Sequence, residues 1–227
     1  DYLQSKGSIN PPVLAFDGMS AAGKSLFNEM LKVYLERSGR DVVVIDATNF
    51  LVSRDERDKD LKNAVETLES YDKQRETYYR FDKLKTEVLD KIKKFKESQD
   101  KFLHLAVSGL YDRASGKVNM KREYIIKKDT VVIIEGMHIL QEKLLPYYDA
   151  TFFIYASRDE CLKNAIKREK LKKRKQPRRK IVNRFLLVDW PSYSRHWMEY
   201  WLNSGYIIDN TEYENPVIRR NPFPRYH

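Results

Sequence analysis

Val13-Leu14-Ala15-Phe16-Asp17-Gly18-Met19-Ser20-Ala21-Ala22-Gly23-Lys24-Ser25 is the stretch from which the fold is read. The apolar run closed by Asp17 has the length and composition of a buried strand. Gly18 to Ser25 then matches G-x-x-x-x-G-K-[ST] in full. After it, Leu26, Phe27, Met30, Leu31, Tyr34 and Leu35 fall on one face of a helix that Ser38-Gly39 ends. Strand, glycine-bounded loop and helix in that order form a phosphate cradle. The glycines let the backbone wrap so that successive N–H groups point at phosphate oxygens, and the helix N-terminus adds partial positive charge. The expected nucleotide contacts are Gly18, Ser20, Ala21, Ala22, Gly23, Lys24, Ser25 and Leu26. Lys24 is placed to reach the β- and γ-phosphates of ATP, and the Ser25 hydroxyl to ligate Mg²⁺.

Working outward, Asp41–Asp46, Val131–Glu135, Thr151–Tyr155 and Tyr206–Asp209 read as four further strands, apolar through their middles as central parallel strands are. Helical patterns lie between them, including Glu160 to Lys172 and a tryptophan-rich segment from Arg195 to Leu202. This alternation predicts an α/β three-layer sandwich with a parallel sheet of about five strands. Asp46 and Glu135 close two of those strands, at the ends where open parallel sheets bind ligands. Asp46 is a candidate base for an attacking hydroxyl and a candidate Mg²⁺ partner, and also a candidate cap of the turn Asp46-Ala47-Thr48-Asn49. Glu135, after four β-branched residues and before Gly136, is a second candidate for Mg²⁺. Asp17 lies beneath the loop and reads as a brace. Residues 54–125 read as a largely helical insertion in which Phe81, Leu84, Val88, Ile92 and Phe95 form the buried stripe.

The chain's 227 residues suit one domain with an appendage, and 41% hydrophobic content suffices for a core. No apolar run approaches the roughly 20 residues of a membrane span. The start resembles no signal peptide, Cys161 stands alone, and His104, His138, His196 and His227 lack zinc-like spacing. The expectation is a cytoplasmic protein with no membrane partner. Its formal charge of +10 is local: Lys163–Lys180 carries eleven bases against Glu169, which leaves the remainder balanced. Such a concentration suits a flap over phosphates, at about 163–182, better than a groove for long nucleic acid, which would spread its cations. Arg168, Lys172, Lys173 and Arg174 enter that segment on a helix, and Arg178 and Arg179 follow Pro177.

In this order the pieces resemble the uridine kinase group of P-loop kinases, which includes the nicotinamide riboside kinases. The resemblance runs from about Pro12 to Val217. It takes in Gly18–Ser25, Asp46, Val131–Gly136, the Arg168–Arg174 region, Asp189-Trp190-Pro191-Ser192-Tyr193 and Ile207-Ile208-Asp209-Asn210 with Glu214-Asn215-Pro216. It implies Asp46 as catalytic base, Ser25 and Glu135 serving Mg²⁺, and Arg168 with Lys173 or Arg174 clamping phosphates beside Lys24. It also implies an acceptor region in which Glu76 and Asp82 hold ribose-type hydroxyls, with Tyr111 and Arg113 at the base pocket. Three departures fall on the acceptor side: Thr77-Tyr78 in place of His-Pro, Ser115-Gly116-Lys117 where a base-reading histidine is expected, and Ala47-Thr48-Asn49 after Asp46. A kinase for a hydroxyl on a nucleoside-like small molecule is the first expectation. Another small acceptor is the second, and a polynucleotide-binding or polynucleotide-modifying protein the third.

Overall fold

The computed structural model describes residues 11–170, 176–212 and 215–225. Lys172, Lys173, Arg174 and Glu214, all named from the sequence, lie outside the described residues. β1 (Val13–Gly18) leads through the glycine loop into α1 (Lys24–Arg37), followed by β2 (Val42–Asp46) and a tight 3₁₀ turn at Ala47–Phe50. The insertion begins with α2 (Arg54–Thr67), whose N-terminus is closed by a capping box between Ser53 and Glu56. After the single turn α3 (Gln74–Thr77), α4 (Phe81–Leu84) continues through a π-helical stretch, Lys85–Leu89, into α5 (Asp90–Glu97). Phe81, Leu84, Val88, Ile92 and Phe95 are all buried, as the stripe requires.

The insertion is not helical throughout. β3 (Phe102–Tyr111) and β4 (Val118–Lys127) form a separate antiparallel hairpin. One of its faces, through Leu105, Val107, Leu110 and Ile126, joins the core. Then come β5 (Val131–Gly136), β6 (Ala150–Tyr155), α6 (Arg158–Lys170) and α7 (Arg178–Arg184). α8 (Trp190–Ser194), α9 (Trp197–Leu202), β7 (Tyr206–Asp209) and β8 (Val217–Arg220) complete the chain. The main sheet has the order β2-β5-β1-β6-β7-β8. Its first five strands are parallel, as expected, and β8 adds an antiparallel edge that four exposed residues did not announce.

α1 departs from the even stripe expected of it. Phe27, Leu31 and Leu35 pack on the sheet, whereas Met30 and Tyr34 are 66% and 68% exposed. The two rows are offset by about 100° around the axis, and a sheet face covers only one of them. Between α7 and α8 a second π-helical stretch spans Phe185–Asp189. Pro191 has no N–H to offer the carbonyl four residues back. That carbonyl, on Leu187, instead accepts from the Tyr71 N–H at 2.7 Å. The break therefore fastens the segment before α3 to the helix that returns from the basic region.

Candidate functional site

The parallel register sets the frame. Asp46 stands directly beside Glu135 across the β2–β5 pairing, and Asp17 beside Gly136 across β1–β5. Three acids thus meet at the C-terminal ends of adjacent strands, around the loop Gly18–Ser25. In that loop Ala21 and Gly23 have positive φ, 64° and 98°. Only the absence of a side chain at Gly23 makes room for Asn210, whose Nδ2 lies 2.2 Å from where a Cβ would be and donates to the Ala22 carbonyl at 2.8 Å. Asn164 of α6 donates to the Ala21 carbonyl at 3.4 Å. The loop is therefore held by two amides whose roles the motif does not reveal.

Lys24 donates to the carbonyls of Gly18 and Met19, at 2.7 and 2.9 Å. Desolvation lowers its pKa, while Asp17 and Glu135 oppose that shift. Asp17 is fully buried and accepts from Gly18 N, Leu140 N and Tyr193 Oη. Burial pushes its carboxyl up to about 6 even against those bonds and Lys24. It is the brace the sequence indicated, and it ties β1 to α8. Glu135 is also buried, with Oε2 taking the Asn28 amide at 2.7 Å, and the Oδ1 of that amide is buried without a partner. An unanswered oxygen beside a buried carboxylate, three residues along α1 from the exposed Ser25, is an oxygen-donor set that fits Mg²⁺ or its waters. Among the described residues no group of three or more His, Cys, Asp or Glu could hold a metal ion. A site that shares its ion with phosphates needs no such group.

On the side where the sequence places the acceptor, Asp46 has both oxygens engaged. Oδ1 caps Thr48 N at 2.8 Å, so the capping reading holds, and Oδ2 receives Arg113 at 2.7 Å. Arg113 also bonds the Thr48 hydroxyl. The structure therefore brings together Asp46, Glu135, Lys24 and Arg113. Arg168 joins them from α6, its pKa lowered first by desolvation and then by the charge of Arg113. Tyr111 is buried with the Arg57 guanidinium 4.6 Å above its ring, so one face of the expected stacking platform is covered. Glu76 bonds Arg75 and faces His196 at 3.5 Å, on the side of α3 and α9. Asp82 is not brought in: its side chain is 90% exposed and pairs with Lys143.

Asp189, quoted from the sequence without a role, has a defined place in the fold. Its Oδ1 receives the Gln74 amide at 2.8 Å, and the same Gln74 meets His138 Nε2 at 3.2 Å. His138 is buried, its Nδ1 2.8 Å from Tyr200 Oη, and burial holds its pKa well below the ordinary value. A neutral imidazole thus joins the end of β5 to α3 and α9. Lys180 and Arg184 of α7 lie at 2.8 and 3.8 Å from Asp58 of α2, linking the return arm of the basic segment to the insertion.

The phosphoribulokinase/uridine kinase family model matches residues 13–198. Among solved structures, the phosphoribulokinase of Rhodobacter spheroides superposes with a TM-score of 0.58 at 11% identity, covering 89% of this chain and 71% of that one. The D-glycerate 3-kinase of Cryptococcus neoformans gives 0.56 at 14% identity, covering 92% and 90%. These similarities are of fold. Among curated proteins, the tRNA-specific adenosine deaminase subunit tad2 of Schizosaccharomyces pombe is 29% identical over 68 residues, which is 30% of this chain and 17% of the length of that relative.

Proposed function

The chain belongs to the phosphoribulokinase/uridine kinase family of P-loop kinases, and from that premise we propose that it transfers the γ-phosphoryl group of ATP to a hydroxyl of a nucleoside-like small molecule. The observation that carries this reading is the pairing of Asp46 with Glu135 across β2 and β5, beside a complete phosphate loop. One carboxylate faces the acceptor side through Arg113, and the other faces α1 through Asn28.

In this reading the amides from Ser20 to Ser25 grip the phosphates, and Lys24 leaves the Gly18 and Met19 carbonyls for the β- and γ-oxygens. Ser25 and Glu135 would hold Mg²⁺, with Asn28 orienting Glu135. When bound, the ion supplies neutralisation of phosphate charge. Asp46 Oδ2 accepts the proton of the attacking hydroxyl once Arg113 turns from it towards the transferred group. Arg168 closes over the same group from α6, where its charge stabilises what develops on the equatorial oxygens. No helix of the described residues is long and apolar enough to cross a membrane, and the partners proposed are ATP and the acceptor alone.

The test is ADP release over a panel of hydroxyl compounds, run with wild-type protein and Lys24→Ala. Acceptor-dependent release that the variant loses supports the reading. Release that ignores both the acceptor and Lys24 overturns it.

A further inference from the structure

Arg113 pairs with Asp46, yet its side chain is 60% exposed, so packing does not fix where it stands. An exposed ion pair of this kind adds little by itself, and holding it costs rotamer freedom. The position of Arg113 therefore has to come from the backbone that carries it. That backbone is the end of β3 with the loop after it, and two arginines fasten it. In the loop, Arg54 N donates to the Gly116 carbonyl at 2.9 Å, and Arg54 Nη2 to the Arg113 carbonyl at 2.5 Å. In the strand, the pairing of β3 with β4 slips between Val107 and Leu110, and Gly109 between them has a φ of 61°. Such a slip is a β-bulge, which bends its strand and disrupts the ladder locally. The Gly109 carbonyl at that bulge accepts from Arg80 Nη2 at 2.9 Å.

The rest of the Arg80 fork lies on the turn that follows Asp46. Nε donates to the Phe50 carbonyl and Nη2 to the Leu51 carbonyl, each at 3.3 Å. The two backbones also run together. Arg80 N donates to the same Phe50 carbonyl at 2.9 Å, Val52 N to the Tyr78 carbonyl at 2.8 Å, and Leu51 bridges Tyr79. Asp46 caps the opening of that turn through Thr48 N, and Arg113 bonds both Asp46 and Thr48. A closed ring results. It runs from Asp46 along the turn to Leu51, across Arg80 to Gly109, along β3 to Arg113, and back to Asp46. The two guanidiniums are its cross-links, and they differ. Arg113 is exposed and bonds side chains, whereas Arg80 is half-buried and its three side-chain bonds all go to carbonyls. A planar fork with five donors spans Phe50 and Gly109 at once. An ammonium, a point charge on a flexible stem, serves one side or the other. We propose that Arg80 is a positioning residue for the acceptor half of the site: it holds the β3 bulge against the turn after Asp46, and so sets where Arg113 stands over the carboxylate that takes the proton. This rests on the phosphotransferase reading and adds a residue to it. When Arg113 turns from Asp46 towards the transferred group, the ring opens at that one link, and Arg80 keeps both ends in place for the return.

The experiment is a double-variant cycle read on the acceptor. Arg80→Lys, shown to be folded by its melting temperature, should lower kcat/KM for the acceptor by about tenfold or more, while KM for ATP stays within about twofold. On an Arg113→Met background the same change at Arg80 should cost less than about twofold, because the link it positions is gone. A role in general stability would cost the same on both backgrounds. Gly109→Ala is the companion variant and carries the cycle if Arg80→Lys does not fold. A Cβ at Gly109 meets nothing within 4 Å, so only the strain of its positive φ acts. It should show a smaller loss, again confined to the acceptor and dependent on Arg113. Unchanged acceptor kcat/KM in both variants, or equal losses with and without Arg113, overturns the proposal. Hydrogen exchange without substrates separates it from the phosphotransferase reading. Arg80→Lys should speed exchange at residues 47–51 and 111–117 by about tenfold and leave α1 unchanged. Faster exchange there, in a protein whose wild type releases no ADP with any acceptor, would sink the transferase and leave Arg80 as the pin of the ring. Unaltered exchange alongside acceptor-dependent ADP release would sink the pin and leave the transferase.

Discussion

The wall proposed to face the nucleotide and the wall proposed to face the acceptor are built differently. The first comes from neighbours in the chain. Gly18 to Ser25 is continuous, and Asp46, Glu135 and Asp17 end adjacent strands whose register aligns them. Its polar atoms point into the sheet and are held by buried bonds such as Asn28 to Glu135 and Tyr193 to Asp17. The second is assembled from distant segments. Arg113 reaches Asp46 across 67 positions, Gln74 reaches Asp189 across 115, and Lys180 reaches Asp58 across 122. A wall made from one strand–loop–helix unit cannot change its chemistry without losing its shape. A wall made from side chains on separate helices can exchange them singly, so specificity is free to vary there.

If the comparison is right, the largest effect should come where the two walls meet. Asp46→Asn keeps the shape and the Thr48 cap but removes the proton acceptor and the charge facing Arg113. kcat is expected to fall by about 10²–10⁴ while nucleotide affinity changes far less. Retained kcat would move the base to another residue and break the assignment of Asp46 to both walls. Next, Lys24→Ala on the nucleotide wall should cut turnover by about 10²–10³, as the loss of one charge-stabilising donor does. An equal loss with every acceptor is the signature of that wall. A loss that varied with the acceptor would blur the distinction.

The third expectation concerns how the nucleotide wall is held. Asp17 has its carboxyl raised to about 6 by burial, above the roughly 3.9 of an unfolded chain. A raised acid favours folding most below its unfolded value, and that contribution is lost as pH rises through the folded value. Between pH 4 and pH 7 the wild type should therefore lose about 2 kcal/mol relative to Asp17→Asn. Denaturant titrations of both proteins across that range measure the difference. A flat difference would mean that the three hydrogen bonds and Lys24 compensate the burial completely.

The same division governs what could be read from the sequence. Strand, loop and helix at Val13 to Arg37 announce themselves because apolar runs and a glycine spacing are local signals, and register then places Asp46 beside Glu135 without further information. The α/β sandwich followed from the alternation, and the chain does belong to the family it resembled. The hairpin Phe102–Lys127 was missed because its outer face mixes apolar and charged residues and its inner residues are spread over two strands. Asn28 was missed, and Asn210 was named without its contact to the loop, because an amide carries no signal until its partner is known, although a polar residue on the packed side of α1 was a clue. Arg57 could not be told from its solvated neighbours in Arg54-Asp55-Glu56-Arg57-Asp58, since its burial depends on Tyr111, fifty-four positions away. Asp189 opened the quoted Asp-Trp-Pro stretch, but its bond to Gln74 could not be read there, because the partner is 115 positions away.

The smallest expected effect tests the acceptor wall by what it leaves out. Sequence resemblance paired Asp82 with Glu76 as holders of ribose-type hydroxyls. In the fold, Asp82 stands at the start of α4 with its carboxylate 90% exposed and 3.1 Å from Lys143. An exposed pair of this kind contributes about 0–1 kcal/mol to stability, and nothing links it to Arg113, Arg57 or Asp46. Asp82→Ala should therefore change the acceptor KM by less than about twofold, with kcat unaltered, because no interaction is lost in either the ground state or the transition state. The sharper form of the test is the double variant with Lys143→Ala. If Asp82 were drawn into the site when the acceptor binds, breaking its pair with Lys143 would free it, and Lys143→Ala alone would lower KM. If Asp82 only decorates the surface, the single and double variants behave alike. A tenfold rise in KM for Asp82→Ala would show that the acceptor wall extends to α4, and that the wall closes around its ligand by a larger movement than the present side-chain contacts imply.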